Sequence, residues 1–361
     1  MGVCLEYKII MRMKKLLLLF VFIGCIGAVS AQTKTVDVAT AGTLSFSDDE
    51  KASITTLTVT GSINHTDMSA IKTLTAVEHV DLSGADIVAE GDYPANTIPA
   101  EIFRENATIK TFILPNSIVL IDEYAFYMCK AITKLDFSNC KKLKKIGYYA
   151  CGSIQETLTS VSFNGCAALD TIDNYAFAQS KVLETIDFTG CVALKSIGNR
   201  AFLNCLAVKS LDLSPCTALT EITANGFRQM KGVETLKLPT TVTTIADNAF
   251  YQFSALTSVV CMNTIVPTVA SDAFKSSPIT GCTLTVPVGS KSAYEADAVW
   301  GTFASIVESA SVEAATVEKI VAESIIYSIS GSQISTLTSG VNIVKTIYTD
   351  GSADVKKVIV R

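Results

Sequence analysis

The chain has 361 residues, of which 49% are hydrophobic and 17% are charged, and its formal net charge is −5 at pH 7. Such an apolar composition excludes an intrinsically disordered chain, and this length is too great for one compact core by the usual scaling of surface with size. A mildly acidic chain without a basic run also argues against nucleic acid and anionic membrane surfaces as partners.

The N-terminal residues 1–31 are predicted to be an export signal. Basic residues precede an apolar stretch at 16–26, and small residues at 29–31 form a cleavage site. A second interpretation is a lipoprotein signal, in which Cys25 is lipidated. Because the apolar run is short for a membrane-spanning helix, we expect no membrane span in the mature chain.

Residues 32–110 are predicted to form an N-terminal cap followed by irregular first repeats. Alternating apolar residues at 56–59 and 80–82 predict short strands. Residues 67–74 predict a short helix, for which Asn64 or Thr66 is available as the N-cap. A modified first unit is expected here because the ends of a repeat array would otherwise expose its core.

Residues 111–283 are predicted to be a leucine-rich solenoid. An apolar residue recurs every 23 to 26 residues, and a phenylalanine follows it five residues later in every unit except one, where Cys151 takes its place. A fixed period in this range predicts stacked coils, because each unit is too short to bury its own apolar face. The recurring apolar positions are Ile121, Ile146, Ile172, Ile197, Ile222, Ile245 and Val269.

Four of these coils carry a cysteine in register, at Cys140, Cys166, Cys191 and Cys216. Neighbouring cysteines in such a ladder lie about 4.8 Å apart, within Cα reach of a disulfide. Their side chains point the same way, however, which strains the dihedral that a disulfide requires. We therefore expect buried free thiols, and the absence of any Cys-x-x-Cys spacing argues against a zinc site.

The C-terminal part of the chain divides into three predicted segments. Residues 284–308 are a cap that holds the only tryptophan, Trp300, over the last coil. Residues 309–324 are a linker, and residues 325–361 are a small β domain. An Asp-Gly pair at 350–351 predicts a hairpin between the last two strands of this domain.

The middle residue of each predicted strand points away from the core. These positions include Asp136, Asp187, Asp212 and Lys237, and their neighbours are mostly serine, threonine, asparagine and lysine. One interpretation is a binding surface, on which Asp187 and Asp212 hold a cation or a basic partner. The alternative is that solvated aspartates accept hydrogen bonds from neighbouring serine and threonine residues.

Signals of catalysis are absent from the sequence. The two histidines, His65 and His79, both lie in the N-terminal cap, and no phosphate-binding or dinucleotide-binding glycine motif occurs. We predict that the protein is not an enzyme and that it needs no cofactor or metal ion.

The repeat L-x-x-L-D-L-S-x-C-x-x-L-x-x-I-x-x-x-A-F-x-x-C resembles the BspA-type (Treponema-type) leucine-rich repeat of bacterial surface proteins, over roughly residues 55–308. The resemblance implies a secreted or surface-attached binding module, and some members of this family are adhesins for host matrix proteins. The tail at 326–361 is similar to the C-terminal sorting domain of type IX secretion. It differs at Ser328, where Asp or Asn is common, and at Ser332, where Arg or Lys is common.

The sequence thus predicts a β-rich, right-handed leucine-rich-repeat solenoid. It has one parallel sheet, short helical or irregular segments opposite, and a small C-terminal β-sandwich-like domain. The expected function is non-catalytic binding of an extracellular protein or glycan through the sheet face. The expected location is secreted or at the cell surface, with attachment to the outer membrane as one route. The alternatives are a structural envelope component without a specific ligand and an accessory protein in glycan processing.

Overall fold

The computed structural model describes residues 31–309, 321–328, 333–334, 336, 340–348 and 353–360. The predicted export signal, apart from its last residue, and most of the predicted linker lie outside these residues. The chain divides into two units between Ser309 and Ala310.

The N-terminal end of the first unit combines three long parallel strands with two short helices. The strands are Gln32–Val38, Ile54–Ile63 and His79–Ile87. Helix α1 spans Asp48–Ser53, and helix α2 spans His65–Lys72. Each helix begins at a capping box in which the N-cap and the third helical residue satisfy each other's backbone N–H groups. The short helix predicted near residues 67–74 is therefore present, and its N-cap is Asn64.

Stacked coils form the rest of this unit, which confirms the predicted solenoid. Each coil contributes one strand to a parallel ladder that we call the face strands. In this ladder one side chain turns into the core while its neighbours turn outward. The face strands are Thr111–Ile113, Lys134–Asp136, Ser160–Ser162, Thr185–Asp187, Ser210–Asp212, Thr235–Leu238, Ser258–Cys261, Thr283–Pro287 and Ser305–Ser309.

A second parallel ladder, which the sequence did not reveal, runs through the recurring apolar position. Its two-residue strands, here called the turn strands, are too short to show an alternating pattern in the sequence. In seven of the eight the second residue is buried, and only Val269 is partly exposed. The turn strands are Thr97–Ile98, Leu120–Ile121, Lys145–Ile146, Thr171–Ile172, Ser196–Ile197, Glu221–Ile222, Thr244–Ile245 and Thr268–Val269.

The third side of each coil is the segment around the recurring phenylalanine. It is not a strand, yet its backbone bonds to the next coil: Phe126 N donates to Ala150 O at 2.7 Å, and Met128 N donates to Gly152 O at 3.0 Å. Left-handed backbone at non-glycine residues bends the chain here, as at Tyr124 (φ 54°) and Met128 (φ 57°). At most junctions, backbone groups on all three sides thus find partners in the neighbouring coil.

The recurring phenylalanines stack in the interior, and Cys151 interrupts the column between Phe126 and Phe177. Along Phe177, Phe202, Phe227, Phe250 and Phe274 the ring centroids are 5.3, 5.7, 5.9 and 5.1 Å apart. At the C-terminal end Trp300 and Phe303 close the stack, each 5.9 Å from the ring of Phe274. Helix α3, Lys291–Glu295, and two 3-10 turns, Ile279–Gly281 and Trp300–Thr302, accompany this cap.

The nine cysteines of the described residues are all free and buried, which confirms the prediction of free thiols. Many donate to a backbone carbonyl of the preceding coil: the Sγ of Cys166 lies 3.1 Å from Phe137 O, and that of Cys191 lies 3.4 Å from Phe163 O. Burial raises the pKa of the Cys166 thiol to about 11 and that of Cys191 to about 12. The thiols therefore stay protonated and unreactive in the folded chain.

The second unit is a small antiparallel β-sheet. Its four strands are Val321–Ser328, Gln333–Ile334, Gly340–Tyr348 and Ala353–Val360. The order across the sheet places the two-residue strand at one edge, next to Val321–Ser328, and the C-terminal strand at the other. The strands predicted within residues 325–361 are thus present.

Candidate functional site

The outward residues of the face strands form one column, which we call the face column. Asp136 lies opposite Ser162, and Ser162 lies opposite Asp187 on the next strand. Farther along, Asp212 lies opposite Lys237. All four residues predicted as binding residues therefore belong to the face column, because the pleat turns every second side chain of a strand outward.

Each aspartate of the face column uses one carboxylate oxygen to hold the turn that follows its strand. The Oδ1 of Asp136 accepts from Ser138 N at 2.8 Å, and that of Asp187 accepts from Thr189 N at 2.9 Å. Asp212 accepts in the same way from Ser214 N at 3.0 Å. An Asx turn of this kind ends the strand. The turn uses only one of the two carboxylate oxygens of Asp136 and of Asp187.

Lys237 and Asp212 form an ion pair across the two strands, with the Lys237 Nζ 3.0 Å from Asp212 Oδ2. Both side chains are partly exposed, so the pair contributes little to stability. The ion pair at Oδ2 and the turn hydrogen bond at Oδ1 together occupy both carboxylate oxygens of Asp212. A ligand that binds the face column at this point must compete with the ion pair.

Joint binding of one ligand by Asp187 and Asp212 stays a prediction. Thr185–Asp187 and Ser210–Asp212 belong to separate hydrogen-bonded sheets, although they lie on successive coils. Across residues 31–309 and the described C-terminal strands, no group of three His, Cys, Asp or Glu side chains is placed to hold a metal ion.

A cluster of five tyrosines lies on the other side of the coils, next to the turn strands, and the sequence analysis missed it. We call Tyr124, Tyr127, Tyr148, Tyr149 and Tyr175 the tyrosine cluster; all five are half-buried. The signal in the sequence is a tyrosine directly before the alanine that precedes the core position, repeated in three successive coils. At that position the backbone is left-handed, with φ of 54°, 51° and 58° at Tyr124, Tyr149 and Tyr175.

Three of these rings stack face to face along the coils. The centroids of Tyr124 and Tyr149 are 5.6 Å apart, and those of Tyr149 and Tyr175 are 4.6 Å apart, with interplanar angles of 6° and 8°. Loss of solvent around the rings raises the pKa of Tyr124 and of Tyr149. The cluster is therefore a surface of closely packed aromatic rings and phenol groups.

The two histidines make contacts within the N-terminal part of the first unit. The ring of His65 stacks on Tyr93 at a centroid distance of 3.7 Å, and the Nδ1 of His79 lies 2.8 Å from Thr111 Oγ1.

In the part of the chain that the structure describes, no helix is both long enough and apolar enough to cross a bilayer.

Comparison with known proteins identifies the repeat. The description "BspA type Leucine rich repeat region" matches residues 96–215 and 170–294 of this chain, in six copies. No curated protein matches the sequence.

Similar solved structures include a leucine-rich repeat protein from Bacteroides ovatus, with 15% identity, 76% of this chain and 69% of that chain covered, and a TM-score of 0.37. A leucine rich cell surface protein from Faecalibacterium prausnitzii is 14% identical, and the match covers 78% of this chain and 89% of that chain with a TM-score of 0.23. The pneumococcal vaccine antigen PcpA is 12% identical, and the match covers 76% of this chain and 68% of that chain with a TM-score of 0.36.

Proposed function

Because this chain belongs to the BspA-type leucine-rich-repeat family, we propose that it is an exported, non-catalytic binding module that recognises an extracellular protein or glycan through its sheet face. A stack of coils offers an extended surface on which successive repeats contact one ligand. The family and the solenoid together support a binding or adhesion role rather than a catalytic one.

The observation that carries this proposal is the register of the face column. Asp136 and Asp187 stand two strands apart on one flat face, and Ser162 lies between them. Each aspartate keeps an oxygen that is not used in its Asx turn. A row of carboxylate and hydroxyl oxygens favours a ligand surface that carries basic or hydrogen-bond-donating groups.

The test is a binding assay with purified extracellular matrix proteins and a glycan array, using variants that keep the turns intact. In a D136N/D187N variant the side-chain oxygen still accepts the turn N–H while both charges are lost. We expect saturable binding by the wild type and binding weaker by about tenfold in this variant, which corresponds to about 1.4 kcal/mol. The matched control is Glu221→Gln, which removes an exposed carboxylate from a turn strand.

Three outcomes would contradict the proposal. Binding that survives in D136N/D187N would move the ligand to another surface. If neither the matrix proteins nor the glycans on the array bind, the result would favour a structural envelope component without a specific ligand. Stimulation of a glycan-degrading enzyme without direct binding would favour the accessory role in glycan processing.

The export route is a separate part of the proposal. We propose that residues 1–31 direct export, that residues 32–308 form the capped repeat array, and that the β unit at 325–361, after a linker at 309–324, acts in sorting. The mass of the mature N-terminus tests the first step. A chain that begins at Gln32 supports simple cleavage, whereas a diacylglyceryl adduct on Cys25 supports lipid attachment.

A further inference from the structure

The tyrosine cluster is closed at both ends by arginines. The guanidinium carbon of Arg104 lies 5.3 Å from the ring centre of Tyr124, and that of Arg200 lies 5.7 Å from the ring centre of Tyr175. Both faces of the middle ring, Tyr149, are covered by Tyr124 and Tyr175. The stack therefore turns only ring edges and hydroxyl groups toward solvent.

Tyr127 and Tyr148 lie across this stack instead of within it. The plane of Tyr148 makes angles of 85°, 90° and 83° with Tyr124, Tyr149 and Tyr175, and that of Tyr127 makes 89° and 87° with Tyr124 and Tyr149. Since the stacked rings follow one another from coil to coil, a ring perpendicular to them runs parallel to the direction of stacking. Tyr127 and Tyr148 are thus flat elements aligned along the array. The guanidinium carbon of Arg104 lies 5.5 Å from the ring centre of Tyr127 and covers one face of it, so a ligand meets the opposite face.

Two of the cations around the cluster, Arg104 and Lys145, are paired with carboxylates within the protein. Arg104 pairs with Glu101 and with Glu105, each at 3.3 Å. Lys145, on a neighbouring turn strand, pairs with Asp173 at 3.0 Å. Arg200 donates to the hydroxyl of Tyr175, and Glu123, directly before Tyr124, forms no ion pair within residues 31–309. Most of the surface that remains for a ligand is aromatic carbon and phenol hydroxyl, which is the chemistry that recognises an uncharged partner.

The three stacked tyrosines, Tyr124, Tyr149 and Tyr175, follow the spacing of the coils because they occupy the same position of successive coils. The centroid separations of 5.6 and 4.6 Å follow the coil repeat. A ligand that lies along the array meets the same group at each step. A polymer of similar units of about this length fits such a surface better than a compact ligand does.

We propose that the tyrosine cluster is a second binding surface, for a neutral polysaccharide that lies along the array. The C–H faces of its sugar rings pack on Tyr127 and Tyr148, and its hydroxyl groups exchange hydrogen bonds with the phenols of the stack. A polypeptide is the competing occupant, since tyrosine and arginine dominate protein interfaces. The sugar polymer is favoured because both arginines are engaged within the cluster, Arg104 by carboxylates and Arg200 by the hydroxyl of Tyr175.

The experiment is affinity electrophoresis of the purified protein in gels that contain neutral polysaccharides: β-1,3-glucan, xyloglucan, galactomannan or arabinan. Gels with the anionic polymer polygalacturonate, and a gelatin binding assay, are run beside them. The variants are Tyr127→Ser and Tyr148→Ser. The matched control is Tyr251→Ser, because Tyr251 is half-buried and follows Phe250 as Tyr127 follows Phe126, but it lies outside the cluster, beneath Arg228.

We expect at least one neutral polysaccharide to retard the wild type. Binding should be about tenfold weaker in each cluster variant, as expected for the loss of one aromatic contact, and unchanged in Tyr251→Ser and in D136N/D187N. Unchanged polysaccharide binding by D136N/D187N would separate this surface from the face column. Each of the two proposals can then fail while the other stands. In the wild type, the bound polysaccharide should also protect Tyr127 and Tyr148, but not Tyr251, from nitration read by mass spectrometry.

The proposal is overturned if no neutral polysaccharide binds, or if the cluster variants bind as the wild type does. Equal loss of binding in Tyr251→Ser would attribute the effect to stability and would also overturn it. Binding of gelatin alone, with loss in the cluster variants, would identify the occupant as a polypeptide. The nitration measurement decides the matter without variants should a serine substitution prevent folding.

Discussion

Lys237 lies directly opposite Asp212 on the neighbouring face strand, and its Nζ is 3.0 Å from Asp212 Oδ2. Two residues that the sequence offers separately as binding groups are therefore each other's partner. Among the described residues, the face column consequently has carboxylates without an ion-pair partner at Asp136 and Asp187 and a neutralised pair at Asp212.

Replacing Lys237 by Met should free Asp212 with little effect on stability. Both side chains are partly exposed, so the free energy of unfolding should change by less than about 1 kcal/mol, as measured by urea denaturation. Affinity for a basic ligand of the face column should increase. Lys209→Met is the control, because it breaks an ion pair with Glu234 that also links neighbouring coils. An equal increase in both variants would argue that net charge, and not the position of Asp212, controls binding.

Replacing Asp67 by Ala should destabilise the N-terminal cap strongly. The fully buried Asp67 carboxylate accepts from the backbone N–H groups of Gly42, Leu44 and Asn64 at 2.6, 2.8 and 2.9 Å. Alanine would leave these donors without a partner, at a cost of about 3 kcal/mol or more. The Asp67→Asn variant keeps an acceptor oxygen and should lose less.

The control for this loss is Asp81→Ala, because Asp81 is only partly buried and accepts from Ser83 N at 2.8 Å. Its free energy of unfolding, measured by urea denaturation, should decrease by less than about 1 kcal/mol. If Asp67→Ala and Asp81→Ala shifted the midpoint equally, the anchoring role of Asp67 would be refuted.

Stability should fall as the pH rises above about 9. Burial raises the pKa of Cys140 and Cys191 from 9.0 to about 12, and that of Cys166 to about 11. Between these values the unfolded chain loses thiol protons while the folded chain keeps them, so the unfolded state is favoured as pH increases. Below about pH 9 both states hold the protons, and this contribution is fully present.

Urea midpoints measured at about pH 7 and about pH 10 check this dependence, with Cys166→Ser for comparison. The variant has one titrating thiol fewer, so its stability should decline less steeply, by up to about 1.4 kcal/mol per pH unit. Identical slopes for the variant and the wild type would mean that the buried thiols do not cause the decline.

Hydrogen exchange should reveal a weak junction between two coils. The face strands Thr185–Asp187 and Ser210–Asp212 belong to separate sheets, and so do the turn strands Ser196–Ile197 and Glu221–Ile222. At the previous junction Glu184 N donates to Thr159 O at 2.9 Å. Within residues 31–309, no equivalent backbone bond joins Lys209 to the coil before it.

We expect the amides of residues 209–212 to exchange several-fold faster than those of residues 184–187, because fewer backbone hydrogen bonds must open together. Peptide-level exchange with mass spectrometry measures the difference. The control segment is 234–237, where Glu234 N donates to Lys209 O at 2.8 Å. Equal protection of all three segments would show that the junction is as firmly closed as its neighbours.

The sequence by itself determines the coil, its period and its interior. Ile197 and Phe202 recur in register because every inward position of a stacked coil meets the same neighbours, so one periodic pattern predicts all of them. The free thiols follow from the same register. The face column also follows, because the alternation of a strand decides which residues face outward.

Only the tertiary structure decides which outward residues meet. The contact of Lys237 with Asp212, the engagement of the Asp187 carboxylate in its own turn and the gathering of five tyrosines depend on rotamers and on the stagger between coils. The turn strands are likewise hidden from the sequence, because two residues show no alternation. Burial selects inward residues by one shared property, whereas surface contacts depend on the particular side chains that adjacent coils bring together.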